Sequence, residues 1–263
     1  VGSEMCIRDR PQEHAELTYF RENGFDIHKR SQVLGIITRS SKGLCVAGTH
    51  GKTTTSTMAA HLLHQSHVGC TAFLGGISKN YGTNLLLSAT SPYTVIEADE
   101  FDRSFHWLSP WMSVITATDP DHLDIYGTKE AYLESFRHYT TLIQPGGALI
   151  LHKGLEMQAD VQPGVTTYTY SRNEGDFHAE NIRIGNACCQ KGIPVHTGRT
   201  VIDVFCCNKY TMSSFCRRDL HAGKRFGTNY GCIHISIQIL MFHIVGDRND
   251  LIIGKIRFRH IHK

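Results

Sequence analysis

Short apolar runs alternate with longer amphipathic segments along the first two thirds of the chain. Each run is short enough for a strand that is buried on both faces, a pattern typical of parallel sheets. The runs are residues 44–47, 94–96, 112–116, 148–151 and 165–170. Because strands that alternate with helices favour parallel pairing, we expect an α/β fold with a mostly parallel sheet covered by helices on both faces.

Two segments between these runs have the spacing of amphipathic helices. The first, residues 52–64, places four apolar side chains on one face: Met58, Ala59, Leu62 and Leu63. The second is expected to begin after Thr128, which can cap it, and to end at Gln144-Pro145. Its apolar stripe consists of Tyr132, Phe136, Tyr139 and Ile143.

The two ends of the chain follow a different pattern. The first ten residues resemble translated sequencing-adaptor read-through, so we leave them out of the fold prediction. The segment up to residue 40 predicts a helix, a turn at Asn23-Gly24, a short strand and a second helix capped by Ser31. After Ala187 the alternation breaks down, and we expect an irregular tail. The expected divisions are 1–10, 11–40 (the remnant of a larger N-terminal domain), 41–187 (the central domain) and 188–263.

Charge and cysteine content change abruptly near the last of these boundaries. Residues 188–263 carry twelve Lys or Arg, four Asp and no Glu, a net charge of +8 that leaves −5 for the rest of the chain. Six of the nine cysteines lie there as well. A basic nucleic-acid-binding or metal-binding module is one interpretation. No motif supports it, and adjacent pairs such as Cys188-Cys189 are poorly placed for one tetrahedral zinc site. We therefore favour a frame-shifted or misassembled segment.

A glycine- and threonine-rich loop separates the first strand from the first helix. In such a loop the backbone N–H groups and the helix N-terminus face a phosphate, and Lys52 would reach the terminal phosphates. Thr53 would place its hydroxyl on Mg²⁺. Val46 stands where the general P-loop pattern has its first glycine, so a turn that merely caps a helix is the alternative. The expected nucleotide-binding residues are Gly48, Thr49, His50, Gly51, Lys52, Thr53 and Thr54.

Polar side chains also follow two other predicted strands. Glu97 opens the sequence Glu-Ala-Asp-Glu directly after residues 94–96, and Asp121-His122 comes after residues 112–116. Ligands of parallel sheets bind beyond the carboxyl ends of the strands, and Mg²⁺ prefers hard oxygen ligands. We therefore expect Thr53, Glu97 and His122 to be metal ligands of a two-metal site. A solvated acidic loop and a surface histidine are the alternatives.

Together these motifs resemble those of the Mur ligase family. Residues 47–55, Ala-Gly-Thr-His-Gly-Lys-Thr-Thr-Thr, are similar to the family's phosphate loop, which explains the missing first glycine. Residues 97–100, then Asp102 with Ser104-Phe105, then residues 121–124, Asp-His-Leu-Asp, follow in the family's order and at its spacing. The resemblance covers about residues 11–186.

The resemblance implies a cytoplasmic ligase of peptidoglycan biosynthesis that depends on ATP and Mg²⁺ and forms an amide through an acyl phosphate. The substrates that it implies are UDP-N-acetylmuramate, L-alanine and ATP. By match, Lys52 contacts the transferred phosphate, Thr53 and Glu97 hold one Mg²⁺, and His122 helps to hold a second. The implied catalytic residues are therefore Lys52, Glu97 and His122. The residues implied to face the UDP-sugar are Gly75 and Gly76, in a loop at 75–80, and Arg103 and Ser104.

Some features depart from the family pattern. The His-Asn-x-x-Asn motif is absent, and residues 188–263 have no counterpart in the family's C-terminal domain, so we expect an incomplete copy without ligase activity of its own. A non-catalytic nucleotide-binding remnant is one alternative. Another Mur-type ligase, either a tripeptide-recycling ligase or one like folylpolyglutamate synthase, is a second. The formal charge of +3 and the lack of a long apolar run give no reason to expect a nucleic-acid or membrane partner.

Overall fold

The structure, a computed structural model, describes residues 15–172, 174–178, 180–185, 188–194 and 201–206. Its largest sheet has seven strands, in the spatial order β3-β2-β4-β1-β5-β6-β7. In chain order these are β1 (Lys42–Ala47), β2 (Thr71–Ser78), β3 (Thr83–Leu86), β4 (Tyr93–Glu97), β5 (Met112–Ile115), β6 (Ala148–His152) and β7 (Thr166–Tyr170). All neighbouring strands are parallel except β2 and β3, which are antiparallel.

The central position of β1 places the phosphate loop beside the ends of its two neighbours. Val46 is in register with Glu97 on β4, and Ala47 is in register with Ile115 on β5. The residues that follow β1, β4 and β5 therefore leave the sheet at one edge. This is the arrangement that the sequence predicts for the phosphate loop and the acidic cluster.

Helices cover both faces of the sheet, as the sequence predicts. They are α1 (Ala15–Glu22), α2 (Arg30–Ser40), α3 (Lys52–Gln65), α4 (Leu123–Tyr126) and α5 (Lys129–Thr141), together with a 3-10 helix at Phe101–Trp107. Leu44 and Val46 of β1 pack with α3, whereas Cys45 and Ala47 pack with α2 and α5. Alternate residues of the central strand thus enter two separate hydrophobic clusters, one on each face.

Helix α5 begins where the sequence predicts and ends at Thr141, before the predicted stop at Gln144-Pro145. The Thr128 hydroxyl accepts a hydrogen bond from the Ala131 amide at 3.2 Å, which is the expected cap. All four residues of the predicted stripe are fully buried: Tyr132, Phe136, Tyr139 and Ile143.

The first helices and the region after α3 differ from their predictions. Helix α2 begins at Arg30 after Lys29, whose amide donates to Gln32 Oε1 at 2.7 Å, so Ser31 lies inside the helix and does not cap it. The short strand predicted before it is absent from the described residues 23–29. Residues 75–80 were predicted as a loop, but residues 75–78 belong to β2. The two glycines lie between Phe73, which pairs with both β4 and β3, and Ser78, which pairs with β3.

Three further strands form a separate antiparallel sheet, in the order β10-β9-β8. They are β8 (Glu180–Gly185), β9 (Cys188–Pro194) and β10 (Val201–Cys206). Two of them lie beyond residue 187, in a segment for which the sequence predicts no regular elements. The apolar stretch at 233–245, whose composition suits a strand or a helix, lies outside the described residues. No helix among the described residues is long and apolar enough to cross a membrane.

Candidate nucleotide-binding site

The phosphate loop is shaped by two glycines and by contacts with the end of β5. Gly48 and Gly51 have φ angles of 124° and 85°, a region that residues with a side chain rarely adopt. A Cβ on Gly48 would lie 2.4 Å from Thr116 Oγ1, so only glycine fits there. The Thr116 hydroxyl donates to the carbonyl of His50 at 2.5 Å, and the Thr49 amide donates to Ala117 O at 3.0 Å. The loop is therefore held by the residues that follow β5, through the Thr116 hydroxyl and the Ala117 carbonyl.

Thr49, His50 and Thr54 lie in or next to the phosphate loop. The Thr49 hydroxyl donates to Asp119 O at 2.8 Å and lies 2.8 Å from the hydroxyl of Tyr132 on α5. His50 Nε2 lies 4.0 Å from Asp119 Oδ2. Thr54 is exposed in the first turn of α3. These contacts tie the loop to the segment after β5.

Lys52 is held at the start of α3 by two acceptors. Its Nζ donates to Gly48 O at 2.9 Å and to Glu100 Oε1 at 2.7 Å. Glu100 is only 1% exposed, and its second oxygen, Oε2, is buried without a hydrogen-bond partner. Burial raises the pKa of Glu100, and the adjacent Lys52 ammonium opposes that rise. The sequence shows Glu100 only as part of an acidic cluster and does not predict this contact.

Glu97 connects Thr53 to β2. Its Oε1 accepts a hydrogen bond from the Thr53 hydroxyl at 3.0 Å, and its Oε2 accepts one from the Gly75 amide at 3.1 Å. Burial raises the pKa of Glu97, while the hydrogen bond from Thr53 and the nearby Lys52 charge lower it. A hydroxyl and a carboxylate side by side beneath a phosphate loop are the oxygen donors that a nucleotide-bound Mg²⁺ takes. The donor set therefore fits the metal that the resemblance implies.

The structure places His122 beside the residue that follows Glu100. His122 precedes α4 with a φ of 53°, and its amide donates to Asp121 Oδ1 at 2.8 Å. Its ring packs edge-on against Phe101, with centroids 5.0 Å apart. Within the described part of the chain, no three His, Cys, Asp or Glu side chains are grouped as a metal site. The role of His122 in holding a second metal therefore stays a prediction.

The four residues expected to face the UDP-sugar have different contacts in the structure. Ser104 lines an open groove between α2 and the acidic cluster, with Arg30, Ser31, Leu34, Glu97, Asp99, Phe105 and Leu108. Arg103 instead places its guanidinium 4.7 Å from the centre of the Tyr126 ring. Gly75 contacts Glu97, and Gly76 faces Thr53. Nothing in the sequence links Arg30 or Ser31 to this groove, since their proximity to Glu97 depends on how α2 packs.

The chain is similar to a known protein family and to several known proteins. A family model described as the Mur ligase middle domain matches residues 46–204, a range that runs past the boundary expected at residue 187. The UDP-N-acetylmuramate–L-alanine ligase of Phocaeicola vulgatus is 82% identical over 176 residues, which are 67% of this chain and 38% of the relative. The corresponding ligase of Porphyromonas gingivalis is 58% identical over 176 residues, 66% of this chain and 39% of the relative.

The fold is also found among solved structures. The crystal structure of a UDP-N-acetylmuramate–alanine ligase from Thermotoga maritima is similar with a TM-score of 0.60 at 21% sequence identity. The similarity covers 86% of this chain and 53% of that one. The chain thus spans less than two fifths of the length of the curated relatives that it matches.

Proposed function

Because the chain belongs to the Mur ligase family, whose middle domain it contains, we propose that it carries the ATP-binding centre of a ligase that joins L-alanine to UDP-N-acetylmuramate in peptidoglycan biosynthesis. The observation that carries this proposal is the grouping of Lys52, Thr53 and Glu97 at the carboxyl ends of two adjacent parallel strands. The names of the relatives support the choice of substrates.

In the proposed reaction, ATP supplies the phosphoryl group that activates a carboxylate. The carboxylate oxygen of UDP-N-acetylmuramate takes the terminal phosphoryl group, and ADP leaves. The amine of L-alanine then attacks the acyl carbon, and inorganic phosphate leaves as the amide forms. Catalysis of such a transfer consists mainly of positioning and neutralisation of charge. Lys52 supplies a positive charge at the phosphate loop for this purpose.

The remaining roles follow from the site and from the family resemblance. We assign Thr53 and Glu97 to one Mg²⁺ and His122 to a second. We assign Gly75, Gly76, Arg103 and Ser104 to the side of the site that faces the UDP-sugar. We place the activity in the cytoplasm. The division of the chain into residues 1–10, 11–40, 41–187 and 188–263 belongs to the same proposal.

Binding of Mg·ATP to the purified chain, measured by isothermal titration calorimetry, tests the proposed centre. Lys52→Ala removes the charge closest to the loop, and we expect it to weaken binding about tenfold or more, which corresponds to about 1.4 kcal/mol. Lys153→Ala is the matched control, because Lys153 pairs with Glu174 on the surface, and it should bind as the unsubstituted chain does. Equal affinities for the unsubstituted chain and Lys52→Ala, or no binding by either, would refute the proposal.

A further inference from the structure

Glu100 is a buried carboxylate beside the phosphate loop to which the proposed reaction assigns no role. It follows β4 by three residues and precedes the 3-10 helix. Its carbonyl accepts a hydrogen bond from the hydroxyl of Tyr126, and its Oε1 accepts one from Lys52. The side chain is thereby fixed under the loop, out of contact with water.

The two glutamates of residues 97–100 contact different parts of the loop. Glu97 is half-buried and receives hydrogen bonds from Thr53 and the Gly75 amide. Glu100 is nearly fully buried and receives one from Lys52. The first therefore faces the proposed metal site, and the second faces the lysine.

The contacts of Lys52 leave one of its donors for a phosphate. An ammonium has three N–H donors, and two of them are used by Gly48 O and Glu100 Oε1. A free lysine side chain has many rotamers, and ordering it costs up to about 2 kcal/mol. Since Lys52 is already held at two points, much of this ordering precedes nucleotide binding.

The burial of Glu100 indicates that Lys52 stays in contact with it when nucleotide binds. Complete departure of the ammonium would leave a buried carboxylate without a counter-charge, and its Oε2 already has no partner. Leaving one member of a buried ion pair alone is strongly unfavourable. Glu100 therefore does not simply compete with phosphate for the lysine.

We propose that Glu100 is a positioning residue, which holds the Lys52 ammonium at the phosphate loop so that its free donor meets the transferred phosphate. This inference rests on the proposed function, since it assumes that the loop binds a nucleotide. It adds a residue that acts through Lys52 and does not itself touch the nucleotide.

A double-substitution cycle tests the proposal. Mg·ATP affinity is measured for the unsubstituted chain, Glu100→Ala, Lys52→Ala and the chain with both changes. We expect Glu100→Ala to weaken binding about tenfold when Lys52 is present and to change it less than about twofold when Lys52 is absent. Glu100→Gln keeps an acceptor oxygen at nearly the same place and should give an intermediate loss. Glu134→Ala, an exposed glutamate on α5, is the control and should bind normally.

Two results of the cycle would overturn the proposal. Binding by folded Glu100→Ala that is as tight as, or tighter than, that of the unsubstituted chain would mean that Glu100 competes with the nucleotide. An equal loss in both Lys52 backgrounds would mean that Glu100 only supports the fold. If Glu100→Ala does not fold, as judged by circular dichroism, the same comparison is made with Glu100→Gln.

A measurement without nucleotide separates this proposal from the proposed function. Lysines of the nucleotide-free chain are modified with an amine-reactive reagent, and the rate at each lysine is followed by mass spectrometry. Glu100→Gln should raise the rate at Lys52 severalfold and leave Lys153 unchanged. An unchanged rate at Lys52 would refute positioning even if nucleotide binds, whereas a raised rate in a chain that binds no Mg·ATP would refute only the proposed function.

Discussion

Two adjacent glycines in β2 differ in what surrounds them, although nothing in the sequence distinguishes them. A Cβ on Gly75 would lie 2.2 Å from Glu97 Oε2, a distance at which the carboxylate must move. A Cβ on Gly76 would meet nothing closer than Thr53 Cγ2 at 3.7 Å, an ordinary contact. An alanine at position 75 would thus displace the Glu97 carboxylate, whereas one at position 76 would displace nothing.

Gly75→Ala should therefore damage the proposed metal site. Displacement of Glu97 from Thr53 removes one of two oxygen donors, and we expect the Mg²⁺ concentration needed for half-maximal ATP binding to rise about tenfold, equivalent to about 1.4 kcal/mol. The measurement is a titration of nucleotide binding with Mg²⁺. Gly76→Ala is the matched control and should leave the titration unchanged. If both substitutions shift it equally, the cause lies in the β2 backbone and not in the contact with Glu97.

At the scale of elements, helix α5 supports the phosphate loop from one face of the sheet. Its buried stripe packs into the cluster that contains Cys45 and Ala47 of β1, and Tyr132 also meets Thr49 of the loop through their hydroxyls. The helix begins at a capping hydroxyl, that of Thr128, and ends before Pro145. The stability of this helix therefore contributes to the shape of the loop.

Thr128→Ala removes the cap and leaves an N–H of the first turn without its partner. We expect the free energy of unfolding to fall by about 1 kcal/mol, the usual effect of losing a threonine cap. The measurement is urea-induced unfolding followed by circular dichroism. Thr141→Ala, at the other end of the same helix, removes a hydroxyl that donates to His138 O and should change stability by less than about 0.5 kcal/mol. Similar losses from both would contradict a specific capping role.

At the scale of the whole molecule, burial of histidines couples stability to pH. His61 on α3, His106 on the 3-10 helix and His152 on β6 each have a pKa below the usual 6.5, in every case chiefly because burial disfavours the charged form. As pH falls through 6.5, the unfolded chain therefore binds protons before the folded chain does. These three groups make the folded chain less stable as pH decreases in that window.

A variant that lacks one of these histidines isolates their effect on the pH dependence of stability from the effect of the carboxylates. His106 Nε2 lies 2.9 Å from Ser135 O, and Gln can replace that donor without titrating. We expect His106→Gln to lose less stability than the unsubstituted chain does between about pH 7 and about pH 5, measured by urea unfolding at each pH. His28→Gln, which makes the same substitution at an exposed position, is the control. An identical pH dependence in His106→Gln and the unsubstituted chain would refute the coupling.

Elements with a strong local pattern were predicted to within one or two residues. The first strand, the helix after the phosphate loop and the capped helix α5 are examples, because apolar spacing and a capping residue are encoded over a few neighbouring positions. Strand β2 was missed, because Gly75-Gly76 reads locally as a turn. Its extended form depends on pairing with β4 and β3, which lie further along the chain.

The sequence by itself determined the strand–loop–helix unit of the phosphate site, including Lys52 and Thr53, because all its parts are adjacent in the chain. Only the tertiary structure decided that Glu97 meets Thr53 and the Gly75 amide, and that Glu100 lies under Lys52. Those contacts join residues 22 to 48 positions apart. They depend on the placement of β1, β4 and β2 side by side, and on a turn after β4 with positive φ angles at Asp102 and Arg103. Strand order and burial are set by packing between distant segments, which no local pattern specifies.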